Sequence, residues 1–267
     1  MENVALAFLL TTLAGLATGI GGCIVFFTKR SNTRFLSISM GSSAGVMIYV
    51  SLVELFHEAD GMLQAALGAR QGNMAAVLAF FGGILLIAII DRLVPCEENP
   101  HELTCPVDQQ PDTVQHAHKL KRTGIMTAIA IAVHNLPEGI ATFVSATQSL
   151  KLAIPIVVAV AIHNIPEGIS VAAPVYYATG SRKKALFWSF LSGLSEPLGA
   201  LVGYLILLPL INDVMMGVLF AAVAGIMVFI SLDELLPGAQ VYGEHHLSMY
   251  GLVSGMAVMA LSLWLFM

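Results

Sequence analysis

The chain has 267 residues, of which 57% are hydrophobic and only 11% charged, and its formal net charge is −5. An ordinary soluble domain has about 25% charged residues, and the mean hydropathy of this chain is +0.83. No polar stretch is long enough to bury a core of its own, so the composition excludes a soluble domain. We expect a polytopic membrane protein that has no nucleic-acid partner.

Eight apolar segments have the length of roughly 20–25 residues that a ~30 Å hydrocarbon core requires. They are continuously apolar rather than alternating, which predicts transmembrane helices and excludes barrel strands. In chain order they cover approximately residues 4–27, 35–57, 72–92, 124–147, 152–177, 185–209, 214–236 and 248–267. Lys29 and Arg30 follow the first segment, which favours a spanning helix over a cleaved signal. We therefore predict an all-α fold with a single transmembrane domain over 1–267 and a loop at about 93–123.

Lys and Arg residues are distributed unevenly between the predicted loops. Ten of the chain's 12 follow spans one, three and five: Lys29, Arg30, Arg34, Arg92, Lys119, Lys121, Arg122, Arg182, Lys183 and Lys184. The opposite side has only Arg70 and Lys151. The positive-inside rule places the basic loops in the cytoplasm. We therefore expect both termini of this cell-membrane protein to be extracytoplasmic and the 93–123 loop to be cytoplasmic.

Spans two and seven contain similar sequences. Residues 44–55 read AGVMIYVSLVEL and residues 224–235 read AGIMVFISLDEL, with seven of the 12 positions identical. The two spans are predicted to cross the membrane in opposite directions, as are spans four and five. Chance similarity between apolar helices is the alternative, but the shared small and polar residues argue against it. The pattern predicts a 3+2+3 inverted repeat, an organisation typical of secondary transporters.

Spans four and five carry two copies of one polar phrase, HNLPEG at 134–139 and HNIPEG at 163–168. In each copy the His and the Glu are four residues apart and share one helix face. A Glu inside the hydrocarbon core is costly, and is a functional-site hypothesis by default. Span six adds a third carboxylate, Glu196. All Lys and Arg residues lie in loops or at span ends, so these carboxylates must be protonated or share a cation.

The residue types indicate which cation would bind. Imidazole, carboxylate and amide oxygen suit Zn²⁺, Fe²⁺, Mn²⁺ and their neighbours. The candidate ligands are His134, Asn135, Glu138, His163, Asn164, Glu167 and Glu196. Three alternatives stay open: a structural hydrogen bond between each His and Glu, an interhelical bonding role for the two Asn residues, and a proton-accepting role for Glu196.

The 93–123 loop also contains potential ligands, namely Cys96, Glu97, Glu98, His101, Glu102, Cys105, His116 and His118. The spacing of the two Cys is not that of a zinc ribbon, and four prolines favour disorder. The loop is therefore either a weak metal-buffering segment or a solvated, flexible one.

Polar side chains also gather at the ends of the repeated spans. Glu54, His57, Glu58 and Asp60 lie near the predicted outer end of span two, and Asp233 and Glu234 near the inner end of span seven. Acidic mouths concentrate cations. These residues are therefore either approaches to the site or ordinary interfacial side chains.

The paired HN-x-PEG phrases, Glu196-Pro197 on span six and the His-bearing loop before span four resemble the ZIP (Zrt-, Irt-like protein) divalent metal transporters. The short chain and the segment SLDELLP are similar to a bacterial branch of that family. The resemblance covers nearly the whole chain. It implies import of divalent transition-metal cations, zinc first among them, with iron(II), manganese, cobalt and cadmium as further substrates, and no prosthetic group.

The resemblance also implies two adjacent metal sites. His134, Glu138, His163 and Glu167 would form the main one, and Asn135, Asn164 and Glu196 would complete the second, with the glutamates bridging. An elevator-like or rocking movement and a homodimer are further implications. Two other functions are compatible with the same residues: an intramembrane metalloenzyme, which lacks an HExxH motif and a substrate-recognition element here, and a metal channel. We expect a carrier and no enzyme.

Overall fold

The computed structural model describes residues 4–27, 29, 32–93, 128, 131–132, 135–147, 150–207, 212–241 and 245–266. These residues are almost entirely helical, and no strand occurs among them. The helices are α1 (Val4–Gly22), α2 (Thr33–Tyr49), α3 (Phe56–Leu67), α4 (Ala69–Leu93), α5 (135–147), α6 (Leu150–Thr179), α7 (Arg182–Gly193), α8 (Ser195–Val202), α9 (Asp213–Ile230), α10 (Leu236–Val241) and α11 (His245–Phe266). The predicted helical class is confirmed, while the 93–123 loop lies outside the described residues beyond its first position.

Consecutive helices join into stretches that are long enough to cross a membrane. Within the described residues, six such stretches are sufficiently apolar: Val4–Phe26, Thr33–Leu67, Ala69–Ile90, Arg182–Leu205, Asp213–Gln240 and His245–Leu265. In addition, α5 covers the second half of the predicted span four, and α6 covers the predicted span five. Large apolar side chains cover the outer surface of these helices, Leu78 and Leu85 of α4 among them, as a lipid environment requires.

The second helical stretch is longer than its hydropathy predicted. It continues well past its predicted end and forms one uninterrupted helix over Thr33–Leu67. Gly68, with φ of 86°, ends it in a left-handed turn that favours glycine. In the added turns, Asp60 accepts hydrogen bonds from Gln64 Nε2 at 2.6 Å and from Asn73 Nδ2 at 3.1 Å. The helix therefore continues past the apolar segment that the sequence predicted as span two, and Asp60 in this extension connects it to α4.

The repeated sequences of spans two and seven adopt the same local structure. A π-helical segment follows α2 at Val50–Leu55, and another follows α9 at Ser231–Leu235. In both, a Ser hydroxyl donates to the carbonyl of the Met four residues earlier: Ser51 to Met47 at 2.6 Å and Ser231 to Met227 at 2.7 Å. Both Met side chains are buried in one hydrophobic cluster formed mainly by α2, α9 and α11. A π segment alters the direction of the side chains beyond it and is frequent at functional sites.

Glycines allow neighbouring helices to approach at backbone distance. A Cβ atom added at these positions would lie 1.8–2.1 Å from a carbonyl oxygen, closer than real Cβ atoms come. Helices α1 and α6 meet at Gly21 with Ile165 and at Gly168 with Thr18, and α8 and α5 meet at Gly199 with Leu136 and at Gly139 with Glu196. Helices α2 and α11 meet at Gly45 with Leu252 and at Gly255 with Ser42, and α9 and α4 meet at Gly225 with Phe80 and at Gly83 with Ala222. These glycines therefore allow close contacts between helices of the same chain.

Candidate metal site

The two polar phrases lie side by side on α5 and α6, in the interior of the protein. Each described candidate ligand is at most 3% exposed: Asn135, Glu138, His163, Asn164, Glu167 and Glu196. His134 lies outside the described residues. The structure therefore buries all the described candidate ligands, which lie on three helices, α5, α6 and α8.

Glu138 and His163 are in direct contact. Glu138 Oε1 lies 2.7 Å from His163 Nε2, with both side chains almost fully buried. The contact joins the Glu of the first phrase to the His of the second, across α5 and α6. Glu138 Oε2 has no hydrogen-bond partner among the described residues. A His nitrogen and a carboxylate that meet in this way are two potential ligands for one transition-metal ion.

Asn164 connects three helices. Its Nδ2 donates to Ala14 O of α1 at 3.0 Å and to Glu196 Oε1 of α8. Its Oδ1 has no hydrogen-bond partner among the described residues. The amide nitrogen therefore performs the interhelical bonding that was one alternative from the sequence, while the oxygen, the ligand atom of an amide, stays available.

Three carboxylates share this interior. Glu196 interacts electrostatically with both Glu138 and Glu167, and each belongs to a different helix. Like charges in a medium of low polarity repel strongly, and a buried charge needs a partner. No Lys or Arg lies in the described part of α5 or in α8, and the one on α6, Lys151, lies in its first turn. A cation or a proton is therefore required to hold these side chains together.

A break between α7 and α8 determines the position of Glu196. Helix α7 ends at Gly193 and α8 begins at Ser195. Pro197 has no N–H to donate to the carbonyl four residues earlier, which is that of Gly193. This carbonyl lies against Gly15 of α1 instead. The backbone of Glu196 in turn lies against Gly139 of α5, so that the carboxylate is held beside α5 and α6.

The described residues do not form a complete set of ligands around one ion. No group of three or more His, Cys, Asp and Glu side chains among them could hold a metal ion as placed, and His134 is not part of that set. The Ala14 carbonyl is a contact of the site that the sequence did not predict. No signal could have revealed it, because every residue has a carbonyl group.

Known proteins with similar sequences place the chain in a family. The family described as ZIP Zinc transporter matches residues 94–263. A protein named zinc transporter ZupT from Clostridium perfringens is 58% identical over 278 residues, covering 100% of this chain and 98% of that protein. The ZupT of Streptococcus mutans is 60% identical over 265 residues and that of Lysinibacillus sphaericus 59% over 262, with at least 97% of every chain covered. Because the family match covers more than half of the chain and these relatives align end to end, the chain belongs to the ZIP zinc transporter family, in its ZupT-like branch.

Proposed function

We propose that this multi-pass membrane protein is a carrier that moves Zn²⁺ and similar divalent cations into the cytoplasm through the buried site on α5, α6 and α8. One observation carries the proposal: three carboxylates from three helices meet in the interior, and the described parts of those helices contain no Lys or Arg except Lys151 in the first turn of α6. A divalent ion neutralises such a group and leaves no permanent counter-charge behind. The name of these relatives, zinc transporter, supports zinc as the substrate and a transporter rather than an enzyme.

The ligands divide between two neighbouring positions. His134, Glu138, His163 and Glu167 form the main one, and Asn135, Asn164 and Glu196 the second, with the two glutamates of the repeated phrases bridging. The contact between His163 and Glu138 supports the first group, and that between Asn164 and Glu196 supports the second. The same ligand types accept Fe²⁺, Mn²⁺, Co²⁺ and Cd²⁺, and the ion is substrate in each case, not a resident cofactor.

The transport mechanism is alternating access by two inverted halves of one eight-span domain over 1–267. The matched π segments support this arrangement, and so do the eight glycine contacts named above, since those between α1 and α6 correspond to those between α8 and α5, and those between α2 and α11 to those between α9 and α4. Gly15 and Gly193, at corresponding positions of the two halves, even face each other: a Cβ at either would lie 2.2–2.4 Å from the other's carbonyl oxygen. Inverted repeats typically hold their substrate at the interface between the halves. A homodimer and a cytoplasmic 93–123 loop belong to the same proposal.

Transport is tested in liposomes that contain the purified protein and an internal zinc indicator. We expect uptake of external Zn²⁺ that exceeds uptake by protein-free vesicles and saturates as its concentration rises, because a carrier has a limited number of sites. A panel of Fe²⁺, Mn²⁺, Co²⁺ and Cd²⁺ under the same conditions gives the order of preference. Uptake equal to that of protein-free vesicles would contradict transport, and uptake that never saturates would contradict the carrier.

The orientation is tested with single cysteines in a variant that lacks Cys23, Cys96 and Cys105. Gln71 and Lys183 are exposed at the starts of α4 and α7, on opposite sides of the membrane in the proposed topology. We expect Gln71→Cys to react with an impermeant thiol reagent in intact cells. Lys183→Cys should react only after the cells are opened, and the reverse pattern would overturn the orientation.

A further inference from the structure

A cleft leads from the buried site toward α2 and α3. Its empty volume is ≈ 490 Å³, counted out to its open mouth. Glu138 and His163 form part of its wall, and Glu54 and Glu58 form another part. The other described residues that line it are apolar apart from Thr142, and no Lys or Arg is among them. The cleft therefore contains two separate pairs of potential metal ligands, one of which is not part of the site proposed above.

Glu54 and Glu58, the outer carboxylates of the cleft, reach it because of the helix that carries them. Glu54 belongs to the π segment Val50–Leu55, and Glu58 follows in the first turn of α3. Four residues apart, they lie on one side of the continuous helix, and both are partly buried. Asp60, two residues further on, bonds to Gln64 and Asn73 and does not line the cleft. Only two of the acidic residues at this end of the helix therefore face the cavity.

From this arrangement we infer that Glu54 and Glu58 form an outer binding site for divalent cations, from which the ion passes along the cleft to Glu138 and His163. The inference deepens the proposed function and rests on it. A second observation supports a ligand in the cleft: the buried Glu138 lines it and has one carboxylate oxygen without a hydrogen-bond partner among the described residues.

The negative charge of Glu54 and Glu58 explains how this outer pair acts on the ion. A cation that enters a cleft with apolar walls loses hydration water, and the loss is costly without a negative partner. Two carboxylates at the mouth attract the ion and raise its local concentration. Because this pair offers carboxylate oxygens and no imidazole, it captures divalent ions with little discrimination. Selection among metals is then left to the inner ligands.

The kinetic test is Zn²⁺ uptake by Glu54→Gln, Glu58→Gln and the double variant in liposomes. Because these residues capture the ion and do not hold it during the transport step, we expect each change to raise the half-saturating concentration about tenfold and to leave the maximal rate nearly unchanged. Asp60→Asn is the matched control, with the same loss of charge on the same helix. A double variant with the half-saturating concentration of the parent protein, or an equal shift in Asp60→Asn, would overturn the inference.

A binding test separates this inference from the proposed function. Mn²⁺ is added to the detergent-solubilised protein carrying Glu138→Ala and Glu167→Ala, and bound ion is distinguished from free ion by electron paramagnetic resonance. We expect one weak Mn²⁺ site to survive these two changes and to disappear when Glu54→Gln and Glu58→Gln are added. If this site binds Mn²⁺ but the parent protein, with none of these changes, does not take up Zn²⁺ into liposomes, the proposed function fails alone. If the variant with Glu138→Ala and Glu167→Ala binds no Mn²⁺, the inference of a site at Glu54 and Glu58 fails, and the proposed function is unaffected.

Discussion

Replacing Glu167 with Ala is expected to abolish Zn²⁺ uptake while the protein still folds and inserts in the membrane. The side chain is fully buried on α6, and it interacts with Glu196 across the helix interface. Its loss removes a ligand and also the charge that makes a dehydrated divalent ion tolerable there. We expect a decrease of more than about a hundredfold, since changing residues that merely orient metal ligands already costs about 10–100-fold. Glu138→Ala should behave in the same way.

Uptake and folding must be measured on the same preparations. Initial rates in liposomes give transport, and size-exclusion profiles in detergent report whether each variant is folded. Ser170→Ala is the matched control, because Ser170 is also buried on α6 and, among the described residues, its hydroxyl donates only to the carbonyl of Glu167, at 2.7 Å. This variant should transport normally. Normal uptake kinetics in Glu167→Ala or Glu138→Ala would exclude that residue from the site.

The sequence predicted the composition of the buried region better than its geometry. A His and a Glu four residues apart identified one face of each helix, and the structure buries the described residues of these two pairs, Glu138, His163 and Glu167. Helical periodicity carries no information on how two helices are rotated against each other. For that reason the contact between His163 and Glu138, from different phrases, could not be predicted, nor could the cleft that joins them to Glu54.

In the fold, too, the local structure was predictable from the sequence, but the contacts between distant segments were not. The similarity of residues 44–55 and 224–235 predicted related structures, and both sequences do form a π segment after a buried Met. Which helices pack together was not predictable, because glycine spacing indicates a close approach without naming the partner. Hydropathy also placed the end of the second span too early, because it detects apolar character rather than helix continuity. The helix continues through a partly polar segment to Leu67.

Gly168→Ala is expected to destabilise the protein by forcing two helices apart. The new Cβ would lie 1.8 Å from the carbonyl oxygen of Thr18, so α1 and α6 would have to separate. Overpacking costs about 1–3 kcal/mol, and a backbone partner that cannot rotate away favours the upper end of that range. The measurement is the thermal midpoint in detergent, followed by size exclusion. Gly82→Ala is the control, since a Cβ there meets nothing within 4 Å and Ala is the better helix former by about 0.5–1 kcal/mol. Equal thermal midpoints for the two variants would mean that α1 and α6 are not in backbone contact at Gly168.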